Sequence, residues 1–157
     1  MAAAAIQLSP FGPADAPHVV AWLDGPGIGL PPGNVATRWA EQLVTDPRVH
    51  AWVARRGDQP VGFGRLDVGP DRVAELTIAI APALRRHGIG ARVLRLVLER
   101  GQRLRVRRVQ AIVDPANHAA LAFFAENGFE EASGVGAART FVRWIHEADR
   151  KVLEIEG

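Results

Sequence analysis

The 157-residue chain predicts an α/β domain built on a mixed sheet. In its first half, apolar alternations follow one another with short turn signals between them, the way antiparallel strands are joined. In its second half the pattern becomes strand, helix, strand, helix, strand, and a strand–helix–strand unit brings parallel pairing with it. One domain spanning 1–157 is expected, long enough to bury a core without cross-links.

Taken in order, "IQL" (Ile6–Leu8) reads as a short strand. "DAPHVVAWL" reads as a helix with Asp15 as N-cap and Pro17 in its first turn. The glycines and prolines of "DGPGIGLPPGN" mark a long loop, and Asn34 caps a second helix reaching Val44. "VHAWVAR" and "PVGFGRLDV" flank "RGDQ" as a hairpin, and "VAELTIAIA" adds another strand. Gly88 to Arg103 has helical periodicity, with Ile89, Val93, Leu96 and Val97 on successive turns. "VRRVQAIVD" is an apolar strand. "NHAALAFFAENG" is a helix opened by Asn117 and closed by Gly128. "RTFVRWI" is the last strand.

Composition narrows the chemistry. There is no cysteine, so neither a disulfide framework nor a thiolate nucleophile or ligand is available. The N-terminal alanines lack the basic flank of a signal peptide, and no apolar run is long enough to span a bilayer, so a cytoplasmic protein without membrane contacts is expected. The pI of 10.3 overstates a net charge of only +2; it reflects eighteen arginines in a chain without tyrosine or cysteine. "ERGQRLRVRR" is the densest positive run, but no aromatics interleave with it. It reads as a solvated helix end suited to the dipole, not as a nucleic-acid surface.

The stretch "ELTIAIAPALRRHGIGARVLRL" poses the functional question. Gly-x-Gly occurs at residues 25, 27, 62, 88 and 134, but only Gly88–Gly90 stands between an apolar strand and a long helix, with Arg85 and Arg86 just before it. Free N–H groups at a helix start, the positive end of its dipole and close-approaching glycines make an anion cradle. A tight turn with exposed arginines is the plainer alternative. The only lysine is Lys151, which excludes a nucleoside-triphosphate P-loop. A dinucleotide fingerprint wants a small residue where Val93 stands, and Asp114 is its one support.

"Arg85-Arg86-His87-Gly88-Ile89-Gly90" resembles the [Gln/Arg]-x-x-Gly-x-[Gly/Ala] loop of the GCN5-related N-acetyltransferases (GNATs). "DPANHAALAFFAENGF" resembles the same family's Asn-x-x-Ala segment ending in Gly-Phe, in the right order and at a fitting distance. The resemblance covers Glu75 to about Glu131. It implies a central mixed, mostly antiparallel sheet of six or seven strands with helices on both faces, and acetyl-CoA as donor to a primary amine by direct attack. Arg85, Arg86, His87, Gly88, Ile89, Gly90 and Ala91 would hold the pyrophosphate. The backbone of Ile78, Ala79 and Ile80 would pair with the pantetheine arm, where the strand splays from "VQAIVD". Asn117 would contact the cofactor, and Phe124 would wall the acetyl slot.

Glu75 is the candidate base, with Asp67 and Asp114 in reserve. Where the family often has a tyrosine to protonate the leaving thiolate, this chain has Phe124. A non-catalytic acyl-CoA-binding module therefore stays open as an alternative, with a dinucleotide-binding oxidoreductase behind it. No metal is expected, because "His146-Glu147-Ala148-Asp149-Arg150" lacks the second histidine of a zinc helix. The acceptor is expected to be a small-molecule or peptide amine. Aminoglycoside, polyamine, amino acid and peptide N-terminus are all compatible, and a homodimer is open.

Overall fold

The computed structural model describes residues 5–23, 45–85, 88–132 and 138–146. The predicted helix 34–44, the loop before it and the C-terminal tail lie outside these residues. The strands are β1 (Ile6–Pro10), β2 (Val49–Arg56), β3 (Gln59–Val68), β4 (Val73–Ile80), β5 (Arg108–Val113), β6 (Glu130–Ala132) and β7 (Arg139–Trp144). The helices are α1 (Ala16–Leu23), α2 (Ile89–Arg103) and α3 (His118–Glu126). All seven strands join one open mixed sheet in the order β1-β2-β3-β4-β5-β7-β6. Its pairs are antiparallel except β4 with β5.

Helices cover both faces. On one face Val93, Leu94 and Val97 of α2, fully or almost fully buried, pack with Leu66, Val109, Ala111 and, from α3, Phe124. Each such side chain contributes about 1.5–3 kcal/mol relative to exposure. On the other face α1 lays Ala16, Val19 and Trp22 over Val53, Phe63 and Ala79. Phe11 meets Phe63 edge-on, with ring centroids 5.7 Å apart. Trp22 and Trp52 are core residues, as expected for indoles in regular elements. Among the described residues no helix is long and apolar enough to cross a membrane.

Three details depart from the sequence reading. Asp15 does not cap α1; it closes a 3-10 turn, Pro13–Asp15, by accepting the Gly12 N–H at 2.9 Å. Its other oxygen takes Arg55 Nη2 at 2.5 Å, tying that turn to β2. β6 was not foreseen, and β7 inserts between it and β5. Finally, β5 buries only one face, because Ile112 is 52% exposed.

Candidate active site

The sheet opens in its middle. β4 and β5 pair only at Val73–Arg108, Ala74–Val109 and Glu75–Gln110. Beyond that rung β4 follows β3 as far as Ile80–Gly62, while β5 follows β7 as far as Val113–Arg139. A wedge therefore opens with Glu75 and Gln110 at its vertex.

The backbone groups facing this wedge follow from alternation. The Ala81 N–H donates to Val61 O at 3.0 Å, so Ala79 and Thr77 turn toward β3. Leu76, Ile78 and Ile80 turn toward the wedge. Across it, Arg107 O accepts the Ile145 N–H at 2.9 Å, which turns the odd-numbered residues of β5 to β7 and Ile112 to the wedge. Of the three residues Ile78, Ala79 and Ile80, the first and last face their backbone groups to the wedge. Ala79 is paired to β3 and keeps its side chain 6% exposed in the cluster beneath α1.

At the open end of β4 the chain makes a 3-10 turn, Pro82–Leu84, and Arg85 Nε reaches back to Ile80 O at 3.4 Å. Arg86 and His87 lie outside the described residues. Gly88 is the N-cap of α2, with φ 75° and ψ 3° and no side-chain cap. This left-handed geometry suits glycine, and a Cβ built there would meet nothing within 4 Å. The first turn closes with Arg92 N–H to Gly88 O at 3.4 Å, so the N–H groups of Ile89, Gly90 and Ala91 have no acceptor within the helix. Gly90 serves packing: its Cβ would lie 3.0 Å from Phe123 Cε2. The Ile89 side chain is 2% exposed and anchors the helix start in the core.

Asn117 caps α3, its Oδ1 accepting the Ala120 N–H at 3.1 Å. Asp114 accepts the Ala116 N–H at 2.8 Å and so ties the turn before that helix. Phe124 is buried among Phe123, Phe129 and Phe141, at centroid distances of 5.3, 5.0 and 6.2 Å. It brings no hydroxyl to the site.

On the α1 side of the sheet, the vertex rung continues as Asp67, Glu75, Gln110 and Val142. Asp67 is held by Arg65, at 2.6 and 3.0 Å. Glu75 is exposed and has no ion-pair or hydrogen-bond partner for its side chain among the described residues. Two displaced titrations lie off this rung: hydrogen bonds from Arg139 hold the Glu131 carboxyl below its ordinary value, and those from Arg48 do the same for Asp46. Among the described residues no cluster of side chains could hold a metal ion.

A seven-stranded open mixed sheet with helices on both faces is an acetyltransferase fold. The Acetyltransferase (GNAT) family model matches residues 18–129, and the chain belongs to that family. It is 28% identical to an uncharacterized N-acetyltransferase of Mycobacterium bovis, over 98% of this chain and 93% of the relative. It superposes on an acetyltransferase from Thermus thermophilus with TM-score 0.72 and 29% identity, covering 92% of this chain and 99% of that one. The fold also matches the PaiA N-acetyltransferase of Thermoplasma acidophilum, solved with coenzyme A, at TM-score 0.68 and 14% identity, covering 89% and 99%.

Proposed function

We propose that this protein transfers acetyl from acetyl-CoA to a primary amine of a small molecule or peptide, by direct attack in a ternary complex. The observation that carries the reading is the wedge, with carboxylate Glu75 at its vertex and the uncapped start of α2 at its open end. The N–H groups of Ile89, Gly90 and Ala91, with Arg85, Arg86 and His87, hold the pyrophosphate, where Gly88 leaves room for a close approach. The backbone of Ile78 and Ile80, which has no strand partner on this side, extends the sheet by pairing with the pantetheine amides, the Ile80 carbonyl exchanging its Arg85 contact for the ligand. Asn117 adds a contact from α3, and Phe124 backs the slot.

The thioester carbonyl then lies near the vertex. The amine nitrogen bonds to the carbonyl carbon, and its proton passes to the Glu75 carboxylate, directly or through water. Collapse of the tetrahedral intermediate breaks the C–S bond and releases the thiolate. With Phe124 in place of a hydroxyl, the thiolate takes its proton from solvent, and Glu75 returns the proton it accepted to solvent, which closes the balance. A thiol pKa of about 8.5 makes it a tolerable leaving group near neutral pH, and lack of a general acid costs about 10²–10⁴-fold.

The test is a thermal-shift titration with CoA, acetyl-CoA and NADPH, followed by CoA-release assays with amines. A hundredfold excess over Kd stabilises by about 2.7 kcal/mol, a shift of several degrees for a chain of this size. CoA and acetyl-CoA are expected to give that shift, and Gly88→Val to lose most of it. A shift with NADPH alone would sink the reading. Binding without CoA release for any amine would favour the non-catalytic module suggested by Phe124.

A further inference from the structure

We infer that Arg108 forms an anion subsite in the acceptor site and that the acceptor is an amine carrying a carboxylate, an amino acid or a close analogue. The inference rests on the transferase reading above. Arg108 opens β5, two residues before Gln110, and alternation puts it on the same side of the sheet as Glu75. From β7, Trp144 stands directly opposite Arg108. The guanidinium carbon lies 5.3 Å from the indole centroid, so the ring holds the cation in place.

Arg108 lacks an acceptor. Its Nε is buried and has no hydrogen-bond partner, as is also true of Arg56 at the end of β2, but only Arg108 stands on a strand of the wedge, and no carboxylate among the described residues pairs with it. By contrast Arg48, Arg55, Arg65 and Arg139 each hold a carboxylate. A buried N–H on a cation is costly when unmatched, and an indole face does not replace an oxygen acceptor. With Nε enclosed, the outer N–H groups of the guanidinium are the ones an entering carboxylate would meet, and a planar guanidinium favours such an anion over a cation.

Position then selects the ligand. Glu75 lies one strand over and two residues along, which places the Cα atoms on the order of 8 Å apart by strand spacing and rise. No ion pair joins the two side chains, although their charges are opposite. An acceptor with its ammonium at the vertex beside Glu75, and a carboxylate a few bonds away toward Arg108, meets both charges. A polyamine would meet Glu75 but be repelled by Arg108.

The experiment pairs each common amino acid with its carboxamide and its decarboxylated amine, with spermidine as a polycationic control, in a CoA-release assay on the full chain. The acids are expected to exceed their amides at least ~10-fold in kcat/KM, since charge-assisted hydrogen bonds carry that much discrimination. Arg108→Gln should erase most of this preference through KM, and Arg108→Lys should restore part of it. A preference for amides or spermidine would overturn the proposal. So would a variant that lowers kcat alike for acids and amides, the mark of a structural role. If no amine is turned over, calorimetry with N-acetyl amino acids and N-acetyl amino amides decides in its place. Binding selective for the acids and lost in Arg108→Gln supports the subsite, and equal binding overturns it. Failure of the wild type to bind acetyl-CoA would count against the transferase reading alone.

Discussion

Glu75 lies at the last paired rung of a parallel strand pair, and what it lacks defines its role. Its neighbour Asp67 is engaged by two hydrogen bonds from Arg65, which leaves Glu75 as the rung's carboxylate without a partner among the described residues. Glu75→Gln is expected to lower kcat by about 10²–10⁴-fold, the usual worth of a positioned base. Acetyl-CoA affinity should stay near that of the wild type, and the acid limb of the pH–rate profile should vanish. An unchanged profile, measured by CoA release from about pH 5 to 9, would remove Glu75 from the role. At this scale the sequence was informative where local chemistry sets the residue. The need for close backbone approach pointed to Gly88. Arg108 and Trp144 escaped notice because their contact exists only across β5 and β7, strands separated by α3 and β6. Asp15 misled for a local reason: an acidic residue before an apolar run looks like a helix cap, whereas here it serves a turn and an arginine on β2.

Between elements, β3 approaches α2 closely at Gly64. A Cβ on Gly64 would lie 2.4 Å from Val97 Cγ2, and a β-branched side chain fixed on a helix has little freedom to yield. Gly64→Ala is therefore expected to cost about 1–3 kcal/mol, the usual range for overpacking a core. At about 2–4 °C per kcal/mol for a chain of this size, thermal melting resolves it. Val97→Ala, destabilising by itself through the cavity it leaves, should recover part of the loss when added to Gly64→Ala. Simple additivity of the two changes would show that they do not share the contact. This explains why the Gly62–Gly64 repeat has the spelling of a phosphate loop and none of its function: one of its glycines makes room for a helix. Elements with strong periodicity, α2 above all, were legible to within a residue. β6 was not, since "EEA" (Glu130–Ala132) has no apolar alternation and is a strand only because it pairs with β7.

For the whole molecule, the wedge divides one sheet into two regions of different backbone security. β2, β3 and the β3-facing side of β4 are paired along their length, whereas the wedge-facing groups of Ile78, Ile80 and Ile112 have no strand partner. Order is carried across the gap by the three rungs below it and by α2 and α3, which share one core with both halves of the sheet. Such a sheet can add an extended ligand as a further strand without moving its framework, because the backbone groups that would pair are already aligned. Amide hydrogen exchange should therefore be uneven. In the ligand-free chain the amides of Ile78, Ile80 and Ile112 should exchange faster than those of Val53, Phe63 and Ala79, which sit in paired strands. Saturating acetyl-CoA should slow Ile78 and Ile80 beyond any general gain in stability, together with Ile89, Gly90 and Ala91 at the start of α2. If protection instead rises evenly over all strands, the ligand acts only through global stability and the wedge is not where pantetheine pairs. Protection at the start of α2 without any at Ile78 and Ile80 would place the pyrophosphate correctly and the thioester elsewhere.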